Sequence, residues 1–248
     1  VNGTYFSNAL NNYRQEIKVT TAGTDNTIPA VFGLTNAYNA YLPAGYLNWQ
    51  DLTSYLDWSG LRPMTEFEYE KACRGSVSSV ANEYPWGTKT INTSSGGMSN
   101  AGTASEQMNI VNDGLTHYNW DGGPMRSGFA ATALSNRVQA GASYYGIMEL
   151  AGNVYEQCVG GGSGYNYANF TNANGDGALT NTGLANTTGW PASGGTSSGT
   201  IYKGGGFYNN TGQQAYFQVS DRSFYQGQAT NANTTRDRAT GGRGVRSY

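Results

Sequence analysis

Apolar residues recur at helical spacing in only two places along this chain. Trp49, Leu52, Tyr55 and Leu56 share one face of a predicted helix, with Asn48 as its N-cap and Gly60 just past its end. Thr65-Glu66-Phe67-Glu68 has capping-box spacing, so a second helix is predicted to start there and stop at Gly75. Its expected core face is Phe67, Ala72 and Cys73. Elsewhere the period is two or absent. Residues 1 to about 46 are polar and β-prone, with alternation in Glu16-Ile17-Lys18-Val19-Thr20. Short strands are expected around Ile147-Met148-Glu149-Leu150, Val154-Tyr155-Glu156, Thr200-Ile201-Tyr202-Lys203, Ala215-Tyr216-Phe217-Gln218-Val219 and the closing Gly244-Val245-Arg246. Between them, residues 76 to about 140 and 160 to 200 are turn chemistry, such as Asn112-Asp113-Gly114 and Asp121-Gly122-Gly123-Pro124. So long an irregular stretch usually stays ordered because function or a ligand pins it. Two early helices, scattered strands and long loops read as α+β, not an alternating βαβ chain. No repeat or linker interrupts residues 1–248, so a single domain is expected.

Composition narrows the function. Charged residues are only 12% of the chain, but a 13% aromatic fraction is too high for a disordered polymer. The surface is therefore expected to be neutral and polar. A net charge of -2 offers little to a phosphate backbone, so nucleic acid is not an expected partner. No apolar run approaches the roughly 20 residues of a membrane helix, so no membrane insertion is expected. No signal peptide is visible, and Val1-Asn2-Gly3 reads as an interior start, of a fragment or a processed form. Two cysteines, Cys73 and Cys158, read as buried free thiols, with a single disulfide as the alternative. With His117 the only histidine, a Cys/His zinc site lacks ligands.

Several segments, in order, resemble one family. Leu61-Arg62-Pro63-Met64-Thr65-Glu66-Phe67-Glu68-Tyr69-Glu70 and Ala72-Cys73-Arg74-Gly75 are similar to its segment around the second helix. Tyr84-Pro85-Trp86-Gly87 follows, then Tyr145-Gly146 through Ala151-Gly152-Asn153-Val154-Tyr155-Glu156, Lys203-Gly204-Gly205-Gly206-Phe207 and the terminal Gly244-Val245-Arg246. The set resembles the formylglycine-generating (sulfatase-modifying) proteins over roughly residues 45 to 248. The resemblance implies a C-type lectin fold of the formylglycine-generating-enzyme type, with two helices, short twisted β-sheets and many long loops. It also implies calcium. One ion would sit at Glu149, Gly152, Val154 and Glu156, and a second, more loosely matched, at Asn109, Ile110 and Asp121, where hard oxygen ligands suit Ca²⁺. The alternative for Glu149 and Glu156 is hydrogen bonding or ion pairing alone.

The family's oxidising members use a cysteine pair after the element matched by Phe207. The corresponding stretch, Tyr208 to Gln214, has none, and an iron site would need several histidines. No catalysis is therefore expected. Glu66, Glu68 and Glu70 read as capping plus solvated charge, Asp221-Arg222 as an ion pair, and His117 as a surface or hydrogen-bonded histidine.

From Phe207 to Asp237 the chain is rich in Tyr, Asn, Ser and Gln, the residues that recognition loops favour. In placement and residue type this resembles the variable proteins of diversity-generating retroelements. The contacts so implied are Phe207, Tyr208, Asn209, Asn210, Tyr225, Asn231 and Asn233. The expectation is a non-catalytic protein that binds a protein or glycan receptor, displayed outside the cell on a phage virion or bacterial surface, as a monomer or an oligomer. The competing expectations are a formylglycine-generating or iron-dependent oxidase-type enzyme, and a structural virion or surface module.

Overall fold

In a computed structural model that describes residues 14, 17–24, 27–34, 40–94, 97–120, 122–161, 166–191, 199–223 and 236–248, the first element is a hairpin. Strands β1 (Ile17–Thr21) and β2 (Val31–Leu34) pair antiparallel, Ile17 opposite Leu34 and Val19 opposite Phe32. Helix α1 (Trp49–Trp58) begins at Asn48 as expected. The Asn48 side chain accepts from the Asp51 amide at 2.8 Å, and Asp51 returns a bond to the Asn48 amide at 3.1 Å. Trp49, Leu52 and Leu56 are buried, but Tyr55 turns outward beside Trp58.

After the two-residue strand β3 (Arg62–Pro63), helix α2 (Glu66–Arg74) starts at the Thr65–Glu68 capping box and stops at Gly75, with φ at 65°. A Cβ at Gly75 would lie 2.0 Å from the Tyr144 ring, so glycine is required there by packing as well as backbone. Replacing Thr65 by alanine is expected to cost about 1 kcal/mol, read from denaturant midpoints at unchanged slope. The core face of α2 differs from the expected one. Tyr69 and Cys73 point inward, while Phe67 is 60% exposed, its ring 5.5 Å from that of Tyr167.

The irregular middle carries four two-residue strands, β4 (Asn92–Thr93), β5 (Met98–Ser99), β6 (Gln107–Met108) and β7 (Leu115–Thr116). Strand β4 pairs with β7, and β5 with β6. Two internal devices order it. Met108, Leu115, Met125, Phe129 and Ala130 form a core of their own. Glu106, 0% exposed, accepts from the Gly102 amide at 2.5 Å and the Arg126 amide at 2.8 Å and pairs with Arg14.

Strand β8 (Tyr155–Val159), buried at every position, is the centre of the largest sheet. Strand β9 (Thr200–Lys203) runs antiparallel on one side and β10 (Thr240–Gly242) parallel on the other, while β11 (Gly244–Val245) returns to β3. Helix α2 covers this sheet through Tyr69 and Cys73, packed with Met64, Leu150, Cys158, Ile201 and Val219; α1 packs on Val159. Both thiols are free and buried, and burial pushes both upward, far from the thiolate form. The architecture is the expected α+β one, with two corrections. Residues 147 to 150 form no strand, because Gly146 and Glu149 take positive φ values of 78° and 59°. The segment Thr211–Phe217 is 3-10 helix, not strand. Among the described residues no helix is long and apolar enough to cross a membrane.

Candidate functional site

The tail residues named from the sequence divide into frame and face. Phe207 is 0% exposed, packed with Tyr155 and Ala239 and stacked 6.2 Å from the His117 ring. Asn209 is also buried. Its Oδ1 accepts from the Tyr155 hydroxyl at 2.8 Å and the Gly206 amide at 2.7 Å, and its Nδ2 donates to Gln213 at 3.2 Å. Neither side chain is available to a ligand, which corrects their assignment as contacts: strand β8 claims the ring, and a tight turn claims the amide.

Tyr208 and Asn210 do reach the surface. Tyr208 is half-buried, its ring 6.3 Å from that of Tyr155 and 4.8 Å below the Arg238 guanidinium. Burial and the neighbouring Asp237 push its phenol well above the usual range, so the ring presents a neutral hydroxyl. Asn210 is exposed and caps the 3-10 segment, its Oδ1 accepting from the Gly212 amide at 2.9 Å. Tyr225, Asn231 and Asn233 lie outside the described residues.

A second loop completes the face. The Asn119 amide donates to the Asn209 carbonyl at 2.7 Å and the Trp120 amide to the Phe207 carbonyl at 3.0 Å. This pairing brings Trp120, 37% exposed, and Asn119 beside the tail. Gln214 joins the loops from below by donating to the Tyr118 hydroxyl at 2.8 Å. Sequence reading missed Trp120 and Arg238. An aromatic next to Asp121-Gly122-Gly123 was the available signal for the first; nothing local marks the second. His117, under this loop, is wholly buried between Ser94 Oγ at 2.7 Å and the Gly123 carbonyl at 2.8 Å. Burial pushes its pKa down to about 4, so it is a neutral, hydrogen-bonded histidine.

The residues expected to hold calcium meet a different cation. Arg243 Nε donates to Glu156 Oε1 at 2.8 Å, and its Nη2 donates to the Met148 and Glu149 carbonyls at 2.8 and 2.7 Å. Glu149 Oε1 accepts from the Gly128 amide at 3.0 Å. Burial raises both carboxyls to about 7, against the pull of Arg243. Glu156 Oε2 has no hydrogen-bond partner among the described residues, and a Cβ at Gly204 would lie 2.7 Å from it. Calcium takes six to eight oxygens at roughly 2.3–2.6 Å; here the guanidinium already holds a carboxylate oxygen and two carbonyls. Of the expected ligands the guanidinium thus takes Glu156 Oε1; the two carbonyls it holds, of Met148 and Glu149, were not among them. The Gly152 amide donates to the Gly204 carbonyl at 2.7 Å, and the Val154 side chain is buried. At the second expected site Asn109 is exposed and bonded to Ser99, Ile110 packs on the middle cluster, and Asp121 lies outside the described residues. Among the described residues no group of three or more His, Cys, Asp or Glu side chains is placed to hold a metal.

Two further readings are corrected. Arg222 pairs with Glu66 at 2.7 Å and Glu70 at 2.6 Å on α2, not with Asp221, which holds Ser223. Glu66 is consequently buried and not a solvated charge.

The model of the sulfatase-modifying factor enzyme 1-like domain matches residues 4–247. A curated formylglycine-generating enzyme from Thermomonospora curvata is 29% identical over 122 residues, which is 47% of this chain and 33% of that protein. The match thus spans about a third of the relative's length. This relative overturns the expectation that no enzymatic activity is to be looked for, since it is itself named as an enzyme.

Proposed function

Because the chain belongs to the sulfatase-modifying factor enzyme 1-like family, with its α+β, C-type-lectin-like fold, we propose that it binds a ligand on the face formed by Trp120, Tyr208, Asn210 and Arg238. The observation that carries this reading is the division within the tail. Phe207 and Asn209 are locked inside, so Tyr208 and Asn210, on either side of Asn209, are presented by a backbone that its buried neighbours hold. A rigid frame presenting Tyr, Trp, Arg and Asn has the chemistry of a recognition surface, because little side-chain freedom is lost on contact. The finer reading is a protein or glycan receptor as ligand, with display on a virion or bacterial surface and tail positions that vary between copies, as in diversity-generating retroelement proteins.

The test is binding of the purified protein to intact bacterial cells and to a glycan panel. Trp120→Ala and Asn210→Arg are each expected to weaken the binding found by about 10-fold or more. Asn210→Arg should shift the melting temperature by less than about 4 °C, since only a helix cap is lost. Wild-type binding by both variants would sink the reading.

The Thermomonospora relative supports a second reading, oxidation of a substrate thiol at the same face. Its assay is conversion of a cysteine-containing peptide to formylglycine after loading with copper or iron. In this chain the oxidisable thiols, Cys73 and Cys158, lie within the core and not at that face. Turnover that survives Cys73→Ser and Cys158→Ser would have to arise on groups of the face itself.

A further inference from the structure

We propose that Arg243 is a built-in cation that takes the charge-neutralising role expected of calcium, so that the fold needs no divalent ion at this position. Three elements converge there. Glu156 stands on the central strand, 2% exposed, and an ionised carboxylate that deep requires a counter-charge. The turn ending at Glu149 holds φ at 59°, a backbone state that costs a non-glycine residue energy unless its surroundings fix it. Arg243, between β10 and β11, addresses both. Its Nε meets the carboxylate at 2.8 Å, while one Nη2 clamps the Met148 and Glu149 carbonyls at 2.8 and 2.7 Å. A planar guanidinium, with its N–H donors in a fixed fork, can bind a carboxylate and two carbonyls at once. Because the cation is carried by the last segment, that segment is also what locks the strained turn to the sheet.

The device leaves one oxygen out. Glu156 Oε2 faces Gly204, where a Cβ would lie 2.7 Å from it, 2.8 Å from the Leu150 carbonyl and 3.2 Å from the Tyr69 hydroxyl. Gly204 therefore admits the carboxylate without donating to Oε2, and among the described residues Arg243 is the cation paired with Glu156.

The experiment compares melting of the wild-type chain in EDTA and in millimolar CaCl₂, with bound metal measured by mass spectrometry after desalting. The expected result is no calcium retained and midpoints within about 1 °C. A calcium-dependent rise of several degrees, or one retained calcium per chain, would overturn the proposal. Arg243→Gln is expected to lower the midpoint by about 10 °C, because it strands a buried carboxylate. Arg243→Gln with Glu156→Gln should recover at least half of that loss, which a mere packing role would not produce. An Arg243→Gln chain that melts like wild type would also overturn it, and if that variant does not fold, the wild-type calcium titration decides.

Discussion

Asn209→Ala should destabilise the protein by about 4 kcal/mol, while Asn210→Ala, one residue on, should cost no more than about 1 kcal/mol. The contrast follows from which groups are left behind. Removing the Asn209 amide takes one acceptor from two buried donors, the Tyr155 hydroxyl and the Gly206 amide. A buried donor that loses its acceptor costs about 1–3 kcal/mol, and these two share one amide oxygen. Asn210 gives up only a bond to the Gly212 amide at an exposed position where water can substitute. Urea unfolding of the two variants, with unchanged slopes, measures the difference. Equal and small losses would mean that Asn209 is not the buttress of the face. The result also bears on function. If the frame depends on Asn209, this position cannot be substituted freely, whereas neighbours such as Tyr208 and Asn210 can.

What the sequence disclosed was whatever is decided within a few residues. The Asn48 N-cap, the Thr65 capping box, the glycine stop of α2 and the strands β8 and β9 all lie where local signals put them, because a cap or an alternation is complete within one turn or one strand. The 3-10 segment was legible and missed. Asn210 and Gln213 stand at capping-box spacing, as at α1 and α2, but the apolar run Ala215 to Val219 outweighed them. The long middle was correctly read as irregular. The reason for its order, the Glu106 hub and its own apolar core, depends on partners too distant to be inferred. Likewise, nothing near Glu66 announces Arg222, 156 positions away, so a buried network was read as solvated charge. The same limit governs the tail. Composition marked it for recognition, but only tertiary packing separates Phe207 and Asn209, which hold the frame, from Tyr208 and Asn210, which project from it. Arg236 makes the point again, since its guanidinium is spent on Asp51 of α1 in a two-pronged pair with both contacts at 2.7 Å.

Stability should fall as the pH rises from about 5 to about 8, and Glu149→Gln should remove much of that fall. In the folded chain the Glu149 and Glu156 carboxyls are raised from 4.5 to about 7 by burial. Such groups favour the folded state when protonated, so their contribution is complete below the unfolded value and is lost as pH climbs through the folded one. For Glu149 alone the shift corresponds to about 3 kcal/mol. His117 acts with the opposite sign. Its pKa is depressed from 6.5 to about 4, so its contribution is present above 6.5 and is lost as the pH falls through 4. Two carboxyls outweigh one imidazole between about 5 and 6.5, and above that window the carboxyls act alone, which fixes the direction of the slope. Glutamine at 149 keeps an oxygen for the Gly128 amide and removes the charge. The variant should therefore be more stable than wild type at pH 8, by about 1–3 kcal/mol, and similar to it at pH 5. Urea midpoints at four pH values measure this. A wild-type profile that is flat or rises over the interval would mean that folding does not raise the two carboxyls.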